Sequence, residues 1–365
     1  MNPAIHRPAT VTIHLDRLAF NIDMIKQHLT KDKAFFAVVK ANAYGHGAIE
    51  IAKKAQACGV DGFCVAMLDE ALELRHAGIT KPILVLGLTQ ICDVPLAIEY
   101  DISLTVTSLI FLKEAQVHIK KGRLKVHLAL NTGMNRLGLQ TKEDVITFEQ
   151  GVLEMKNIDF EGVFTHFATA DGEDDNKVKQ QCRLFETLLS VLTTRPKYIH
   201  LANSAMTLWR ETVETDIVRV GIGMYGVNPS DFALKLPYPL KPVLTWETEI
   251  SFVHRLKQGE SVSYGAKYIA KQDEWIATLP IGYADGFRRA LGTQSVYIGD
   301  EKCDVVGVVC MDQMMIRISQ PYPIGTKVEL IGEHNTASSL AVSIGTIGYE
   351  ILCGISDRVP RIYVE

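Results

Sequence analysis

The chain has 365 residues, which at roughly 100 to 200 residues per domain predicts two or three domains. Hydrophobic residues make up 47% and charged residues 22%, values that exclude a disordered, collagen-like or channel-forming protein. The 38 basic and 42 acidic residues leave a formal net charge of −4, so we expect neither nucleic acid nor a membrane surface as a partner. A small-molecule ligand is the expectation.

The seven cysteines are widely spaced and never form a C-x-x-C pair. We therefore expect neither a disulfide framework nor a zinc ribbon, and most of these cysteines to be inert core thiols. The amino terminus lacks a basic stretch followed by an apolar one, and no run approaches the roughly 18 apolar residues of a membrane span. These features predict a cytoplasmic protein without a membrane segment.

Eight short runs rich in β-branched residues divide the first part of the chain. They cover residues 35–41, 62–67, 82–87, 103–108, 125–130, 160–167, 198–202 and 216–220. Helical periodicity lies between them, for example over residues 69–77 and 177–192. Nearly continuous apolar strands that alternate with amphipathic helices are typical of parallel strands covered by helices, so we predict a (β/α)8 barrel of the TIM type. An open doubly wound sheet is the alternative that this pattern leaves.

Beyond Gly226 the sequence becomes rich in proline and turn residues, and closely spaced strands follow. The predicted strands cover residues 244–253, 274–279, 295–298, 303–309 and 327–331. We therefore expect two domains, a barrel over residues 1–235 and a mostly β domain over residues 236–365. The first residues of the chain are candidates to pair with the β domain.

Functional side chains in such a barrel collect after the carboxyl ends of the strands. The residues at these positions form a polar, largely cationic set: Lys40, Asn42, Tyr44, Asn131, Thr132, Arg136, His166, Asn203, Ser204 and Arg219 to Ile222.

Lys40 closes an otherwise apolar strand, where a bare ammonium group is costly to bury. One interpretation is a lysine whose stem packs while its head reaches water. The other is a Schiff-base lysine, because a desolvated amine loses its proton more readily and attacks an aldehyde. The position alone leaves both interpretations open.

Gly221, Gly223 and Gly226 match the pattern G-x-G-x-x-G. No obvious helix follows and no acidic residue lies about 20 positions further on, so we reject a dinucleotide fingerprint. Small residues after the eighth strand still allow backbone N–H groups to approach an anion, and the loops after strands seven and eight are the usual phosphate site of a barrel. Tight turns explain the same glycines without a ligand.

Four histidines, at positions 46, 127, 166 and 200, raise the alternative of a metal-dependent hydrolase. No H-x-H or H-E-x-x-H pair supports it. His127 and His200 lie inside their strands, so we expect them to be hydrogen-bonded core residues, and we expect no metal site.

The segment AVVKANAYGHG (residues 37–47) resembles the cofactor-lysine signature of the alanine racemases, two-domain fold-type III enzymes that depend on pyridoxal phosphate. The resemblance runs nearly end to end, in the family's order, through NTGMNRLG (131–138), FTHFATAD (164–171), HLANSA (200–205), VRVGIGMYG (218–226), VSYGAKY (262–268), PIGYADG (280–286), VCMDQ (309–313) and RVPR (358–361).

This resemblance implies a homodimer with shared active sites that interconverts L- and D-alanine and supplies D-alanine for peptidoglycan. Lys40 is expected to carry the cofactor and to act as acid or base on one face of the substrate Cα. Tyr264, from the partner subunit, would serve the other face. Arg136 would meet the cofactor's phenolic oxygen and stabilise the phenolate of the tyrosine.

The resemblance also assigns the remaining contacts. Arg219 would face the pyridine nitrogen, with His166 holding this arginine in place. The phosphate would lie among Tyr44, Asn203, Ser204 and the N–H groups of Gly221 and Ile222. The substrate carboxylate and the access route would involve Arg136, Met311, Tyr283 and Asp312.

Three positions depart from the family pattern. Ala129 replaces a lysine that is often carbamylated in the family, Asn131 replaces a frequent acid, and Asp357 replaces a tyrosine of some members. Asp357 leaves open a serine or broad-specificity racemase. A barrel that only carries pyridoxal phosphate is a further alternative, against which the β domain with Tyr264 argues.

Overall fold

The structure is a computed structural model that describes residues 3–30, 32–210 and 215–365. The chain groups into two compact units. The barrel unit holds Leu18–Ala43 and Ala48–Leu240, and the β unit holds residues 3–17, 44–47 and 241–365. The first elements are strand β1 (Ala9–His14), which belongs to the β unit, and helix α1 (Leu15–Gln27).

The barrel unit is built on eight parallel strands. They are β2 (Ala34–Val38), β3 (Gly62–Val65), β4 (Ile83–Val85), β5 (Ile102–Val106), β6 (Leu124–Ala129), β7 (Ile158–Phe164), β8 (Tyr198–His200) and β9 (Ile217–Val220). They pair in the order β8-β7-β6-β5-β4-β3-β2-β9. The two edge strands are themselves linked, since the N–H of Asp216 donates to the carbonyl of Ile199 at 2.7 Å. The nearly closed barrel confirms the predicted fold class.

Helical segments connect the barrel strands. They are α2 (Lys40–Tyr44), α3 (Ala48–Ala57), α4 (Leu68–His76), α5 (Val94–Glu99), α6 (Leu109–Ala115), α7 (Lys142–Leu153), α8 (Asn176–Leu189) and α9 (Ser204–Trp209). Helix α8 shows why such segments cover the sheet: Val178, Phe185 and Leu188 are buried and recur at helical spacing. The two helices predicted over residues 69–77 and 177–192 correspond to α4 and α8.

Burial explains why the barrel strands were recognisable in the sequence. Every residue of β3 and of β5 is buried, as expected for strands covered on both faces. Several barrel strands end before the predicted runs end, because the chain leaves the sheet earlier than the sequence pattern indicates. The run at residues 160–167, for example, pairs as a strand only to Phe164.

The elements of the β unit that follow the barrel are β10 (Leu244–Glu249), β11 (Phe252–Leu256), β12 (Ser261–Val262), β13 (Tyr268–Ile269), β14 (Glu274–Leu279), β15 (Ser295–Ile298), β16 (Glu301–Val306), β17 (Met314–Ile318), β18 (Lys327–Ile331), α10 (Ala337–Ser343), α11 (Gly348–Cys353) and β19 (Arg361–Val364). The β unit contains a nine-stranded sheet in the order β11-β14-β17-β16-β15-β18-β10-β1-β19. Strand β1 pairs antiparallel with β10 and parallel with β19.

Two expectations are corrected here. The single strand predicted over residues 244–253 is two strands, because the chain bends at Ile250 and Ser251, whose N–H groups donate to different neighbours, Thr326 and Thr278. Most of the cysteines are not core thiols: only Cys64 and Cys303 are buried, and the other five reach the surface in part or fully. Among the described residues, every helix is too short or too polar to span a lipid bilayer.

Gly62 offers a test of the barrel packing. A Cβ atom at this position would lie 2.5 Å from the ring tip of Phe36, its partner on β2. We predict that Gly62→Ala lowers the free energy of unfolding by about 1 to 3 kcal/mol, measured by urea denaturation. The control is Gly172→Ala, where the nearest atom is the carbonyl oxygen of Thr169 at 3.6 Å. Equal stability of the two variants would contradict this packing.

Candidate active site

A cavity of about 260 Å³ lies in the barrel unit. Three residues predicted from the sequence line it, namely Lys40, Arg136 and His166. Ala129 and Asn131, two of the positions that depart from the family pattern, line it as well. The structure therefore brings Lys40, Arg136 and His166 into one concave site.

The chain turns left-handed directly after Lys40. Ala41, Asn42, Ala43 and Tyr44 all have φ between 52° and 54°. A left-handed helical conformation costs roughly 1 to 2 kcal/mol per L-residue, so these four residues store on the order of 4 to 8 kcal/mol. The surrounding structure must hold the turn against this strain.

Three hydrogen bonds within the barrel unit hold this turn. The N–H of Ala41 donates to Oε1 of Glu70 at 2.6 Å. The N–H of Ala43 donates to the carbonyl of Val39 at 2.8 Å. Asn42 is held from the other side, because its Oδ1 accepts from the N–H of Ala48 at 2.8 Å.

Arg219 is buried on β9, and both terminal nitrogens of its guanidinium group have acceptors in the barrel. Nη2 donates to the carbonyls of Thr165 and Leu201 at 2.8 and 3.1 Å. Nη1 lies 2.5 Å from Nδ1 of His200, and Nη2 lies 3.4 Å from Nδ1 of His166. Contact between Arg219 and His166, predicted by resemblance, is thus present in the structure.

A row of buried polar groups runs from Arg219 through the barrel. Nε2 of His200 lies 2.8 Å from Nδ1 of His127, and Nε2 of His127 lies 3.1 Å from Oε2 of Glu161. One assignment satisfies every atom: Arg219 donates to His200, His200 to His127, and His127 to the carboxylate. Both histidines are then neutral, and they are hydrogen-bonded core residues as expected.

The electrostatics of this row agree with that assignment. Burial lowers the pKa of His200 well below its ordinary value, and the charge of Arg219 lowers it further. Burial also lowers the pKa of His127, although the Glu161 carboxylate opposes the shift. Burial alone would raise the pKa of Glu161, but hydrogen bonds from His127 and Ser103 lower it to about 2. The row therefore carries one negative charge at Glu161 and one positive charge at Arg219.

At neutral pH, His166 is uncharged and Arg219 is positively charged. Burial, together with the charges of Arg219 and Arg136, lowers the pKa of His166 to about 3. Burial lowers the pKa of Arg219 to about 10, so the guanidinium stays protonated. The site is thus cationic because of its arginines and its lysine, with neutral imidazoles beside them.

The segment after β8 carries Ser204, the segment after β9 carries Gly221, and the two residues are in contact. Oγ of Ser204 accepts from the N–H of Gly221 at 2.9 Å and from that of Gly223 at 3.4 Å. Ile222 begins a 3-10 helix, whose first N–H groups have no partner within the helix. Asn203 caps helix α9, because its Oδ1 accepts from the N–H of Met206 at 3.0 Å. The Ser204 hydroxyl and the N–H of Ile222 can therefore donate to an anion, whereas the N–H of Gly221 already donates to Ser204.

Arg136 lies on a loop that Asn131 organises. Oδ1 of Asn131 accepts from the N–H groups of Gly133 and Asn135 at 3.0 and 2.9 Å. The Arg136 side chain is exposed, and in the part of the chain that the structure describes no carboxylate lies within 4.0 Å of its guanidinium. Ala129 and Asn131, at two of the departing positions, carry no charge that could pair with Arg136.

Four predicted residues belong to the β unit. The N–H of Tyr283 donates to Cys310 and that of Ala284 to Met311, both at 3.0 Å, so Tyr283 and Met311 lie side by side. Asp312 accepts from Arg358 at 2.7 Å. Tyr264 is 75% exposed and Met311 53% exposed. Met311, Tyr283 and Asp312 therefore form one group, and the phenol of Tyr264 is accessible on the same unit.

Two further sequence positions also belong to the β unit. The ring of Tyr44 lies 5.9 Å from that of Tyr349. The Asp357 carboxylate is exposed and lies 3.8 Å from the guanidinium of Arg361.

Sequence reasoning missed Glu161 and Glu70. Glu161 lies within an apolar strand, and a buried carboxylate there requires partners, which is a usable signal. Glu70 is the third residue of helix α4, where an acid is ordinarily interpreted as a cap. Its contact with Ala41 spans 29 positions, so the local sequence pattern could not predict it.

Comparison with known proteins identifies relatives of the whole chain. The family model for the alanine racemase N-terminal domain matches residues 13–229, and that for the C-terminal domain matches residues 243–363. An alanine racemase of Limosilactobacillus reuteri is 49% identical over 368 residues, which cover 98% of this chain and 97% of the relative.

Solved structures agree with these matches. The crystal structure of alanine racemase from E. faecalis has a TM-score of 0.98 and 43% identity, with full coverage of both chains. A histidine racemase from Leuconostoc mesenteroides subsp. sake has a TM-score of 0.94 and 35% identity, also over both complete chains.

The depressed histidine pKa values predict a pH dependence of stability. A histidine with a lowered folded-state pKa binds its proton only in the unfolded chain, so stability falls as pH drops below about 6.5. Removing His166, whose pKa is about 3, should therefore flatten the dependence. We expect His166→Gln to reduce the slope of unfolding free energy against pH, between pH 6 and 5, by about 1 kcal/mol per unit.

Urea titrations at a series of pH values measure this slope. His118→Gln, which removes an exposed imidazole, is the matched control. If the two variants had the same slope, His166 would not be held neutral by its surroundings.

Proposed function

Because the chain belongs to the alanine racemase family, we propose that it interconverts L- and D-alanine with pyridoxal phosphate as its cofactor. The observation that carries this proposal is the cavity that Lys40, Arg136 and His166 line, next to the buried Arg219. Both domains of the family are present along the chain, which counts against a barrel that only carries the cofactor.

The donor groups of the barrel fit pyridoxal phosphate chemically. Lys40 provides an amine for the aldehyde, and Arg136 provides a cation for the phenolic oxygen. The hydroxyl of Ser204 and the N–H of Ile222 would hold the phosphate, and the N–H of Gly221 would join them on releasing Ser204. Asn203 adjoins Ser204 in the sequence, and the resemblance adds Tyr44 to this group. When bound, the cofactor supplies an electron sink that makes the Cα proton of an amino acid acidic.

Arg219 would limit the electron-withdrawing strength of the bound cofactor. A guanidinium group has only N–H donors and stays charged, so a ring nitrogen that faces it carries no proton. His200 cannot supply one, because the single N–H of its neutral ring donates to His127. We infer that Arg219 keeps negative charge near Cα and thereby favours return of a proton there over transamination.

Lys40 and Tyr264 are the two groups that we assign to proton transfer. Lys40 would remove or return the proton on one face of Cα, and Tyr264 of the partner subunit would act on the other. An ordinary phenol titrates near pH 10, so a tyrosine base requires a cationic neighbour, which we assign to Arg136. Arg136, Met311, Tyr283 and Asp312 would bind the substrate carboxylate and control access.

A homodimer follows from the same assignment. The Tyr264 phenol and the Met311 side chain are exposed on the β unit, which leaves them available to a second copy. We also propose a cytoplasmic location, in keeping with seven cysteines that form no disulfide.

A broader substrate range is the second candidate. Ala129 places a small side chain in the cavity wall, and the fold is shared with a histidine racemase at 35% identity. This candidate predicts comparable activity on L-serine or L-histidine.

Chiral chromatography of the reaction products tests the proposed activity. Purified protein with pyridoxal phosphate should convert L-alanine to an equal mixture of enantiomers, with kcat/KM at least about tenfold above that for L-serine or L-histidine. Lys40→Ala should abolish the conversion. A higher kcat/KM for L-serine or L-histidine would show that alanine is not the preferred substrate.

Tyr264→Phe tests the second base. We expect racemisation to fall by about 100-fold or more, because a phenyl ring cannot carry the proton on that face. Tyr297→Phe, on strand β15, is the control and should retain full activity. Unchanged turnover in Tyr264→Phe would show that another group serves this face.

A further inference from the structure

We propose that Glu70 is a positioning residue for Lys40. It holds the left-handed turn through which the chain leaves the lysine, and it ties this turn to the end of the neighbouring strand. This inference rests on the proposed function in one respect, namely that Lys40 binds the cofactor.

The carboxylate of Glu70 joins two separate stretches of backbone. Oε1 accepts from the N–H of Ala41 at 2.6 Å, directly after Lys40. Oε2 accepts from the N–H of Ala66 at 2.7 Å, directly after strand β3. Ala66 and Lys40 both line the cavity, so Glu70 fixes two parts of its wall relative to each other.

Helix capping does not account for this arrangement. As the third residue of α4, Glu70 reaches back to the N–H of Met67, but that contact is long, at 3.4 Å. The two short hydrogen bonds go to Ala41 and Ala66 instead. An acid that served only as a cap would have no contact with a residue 29 positions earlier.

The strained turn gives the Ala41 contact its importance. Ala41 has a φ of 52°, which an alanine adopts only when it is held there. Ala41 is itself exposed, so packing around its side chain contributes little to holding it. Without the carboxylate, the peptide after Lys40 can relax toward ordinary φ values, and the amine then moves with it.

The chemistry of a carboxylate suits this position. Both oxygens are acceptors, and each meets a backbone N–H with an ionic hydrogen bond. A glutamine would present one NH2 group to one of these N–H donors. A glutamate is therefore the side chain that holds both strand ends at once.

The test compares Glu70→Ala with Glu73→Ala, which removes an exposed acid from the same helix. Amide hydrogen exchange is followed for residues 41–44 and 66–70. In parallel, cofactor-free protein is mixed with pyridoxal phosphate and cyanoborohydride, and the rate of covalent labelling at Lys40 is measured by peptide mass spectrometry.

We expect Glu70→Ala to speed exchange at residues 41–44 by at least about tenfold and to slow Lys40 labelling by about 10- to 100-fold. Glu73→Ala should match the unmodified protein. A Glu70→Ala protein that labels Lys40 at the control rate would overturn the proposal, whatever its exchange at residues 66–70, because Glu70 would then be only a helix cap.

Two complications have separate readouts. If Glu70→Ala does not fold, Glu70→Gln is subjected to the same two measurements and the same criteria. If the unmodified protein does not label at Lys40, the proposed function fails, whereas exchange at residues 41–44 in the variants still decides whether Glu70 holds the turn.

Discussion

A single buried charge, the guanidinium of Arg219, determines much of the barrel interior. A cation inside a parallel barrel requires acceptors, and the structure provides two carbonyls and the imidazole of His200 for the terminal nitrogens of the guanidinium group. His200 in turn requires His127, and His127 ends on the carboxylate of Glu161. Strands β6 to β9 each contribute one member of this row. Gly162 belongs to the same constraint, because any side chain on it would overlap the His127 ring.

The row explains how a chain with a net charge of −4 contains a cationic site. The compensating carboxylate, Glu161, lies two histidines away from Arg219, so Arg219 keeps its positive charge for a ligand. His166 is neutral as well, with a pKa of about 3. Lys40 completes the site from a turn that is held in a strained conformation. Rigid placement of a few charges, more than the overall charge, suits this barrel to the anionic cofactor that we propose.

The sequence predicted the architecture well because barrel strands are buried on both faces and appear as continuous apolar runs. Strand ends were less predictable: the left-handed turn after Lys40 and the bend at Ile250 depend on distant hydrogen bonds. Positions at the strand ends identified Lys40, His166 and Arg219, and the resemblance to a family assigned their roles. Glu70 and Glu161 were not found, because the partners that define their roles lie 29 and 34 positions away in the chain. The short strands β12, β13, β17 and β19 were also not predicted.

The protonation state of the buried histidines tests this account most directly. In protein labelled with ¹⁵N-histidine, the nitrogen shifts of His127 and His200 report how many protons each ring carries. Across pH 5.5 to 8 we predict one protonated and one unprotonated nitrogen in each ring, with Nδ1 unprotonated in both. A doubly protonated His200 at pH 6 would contradict the account, because a cationic ring could not accept a hydrogen bond from Arg219.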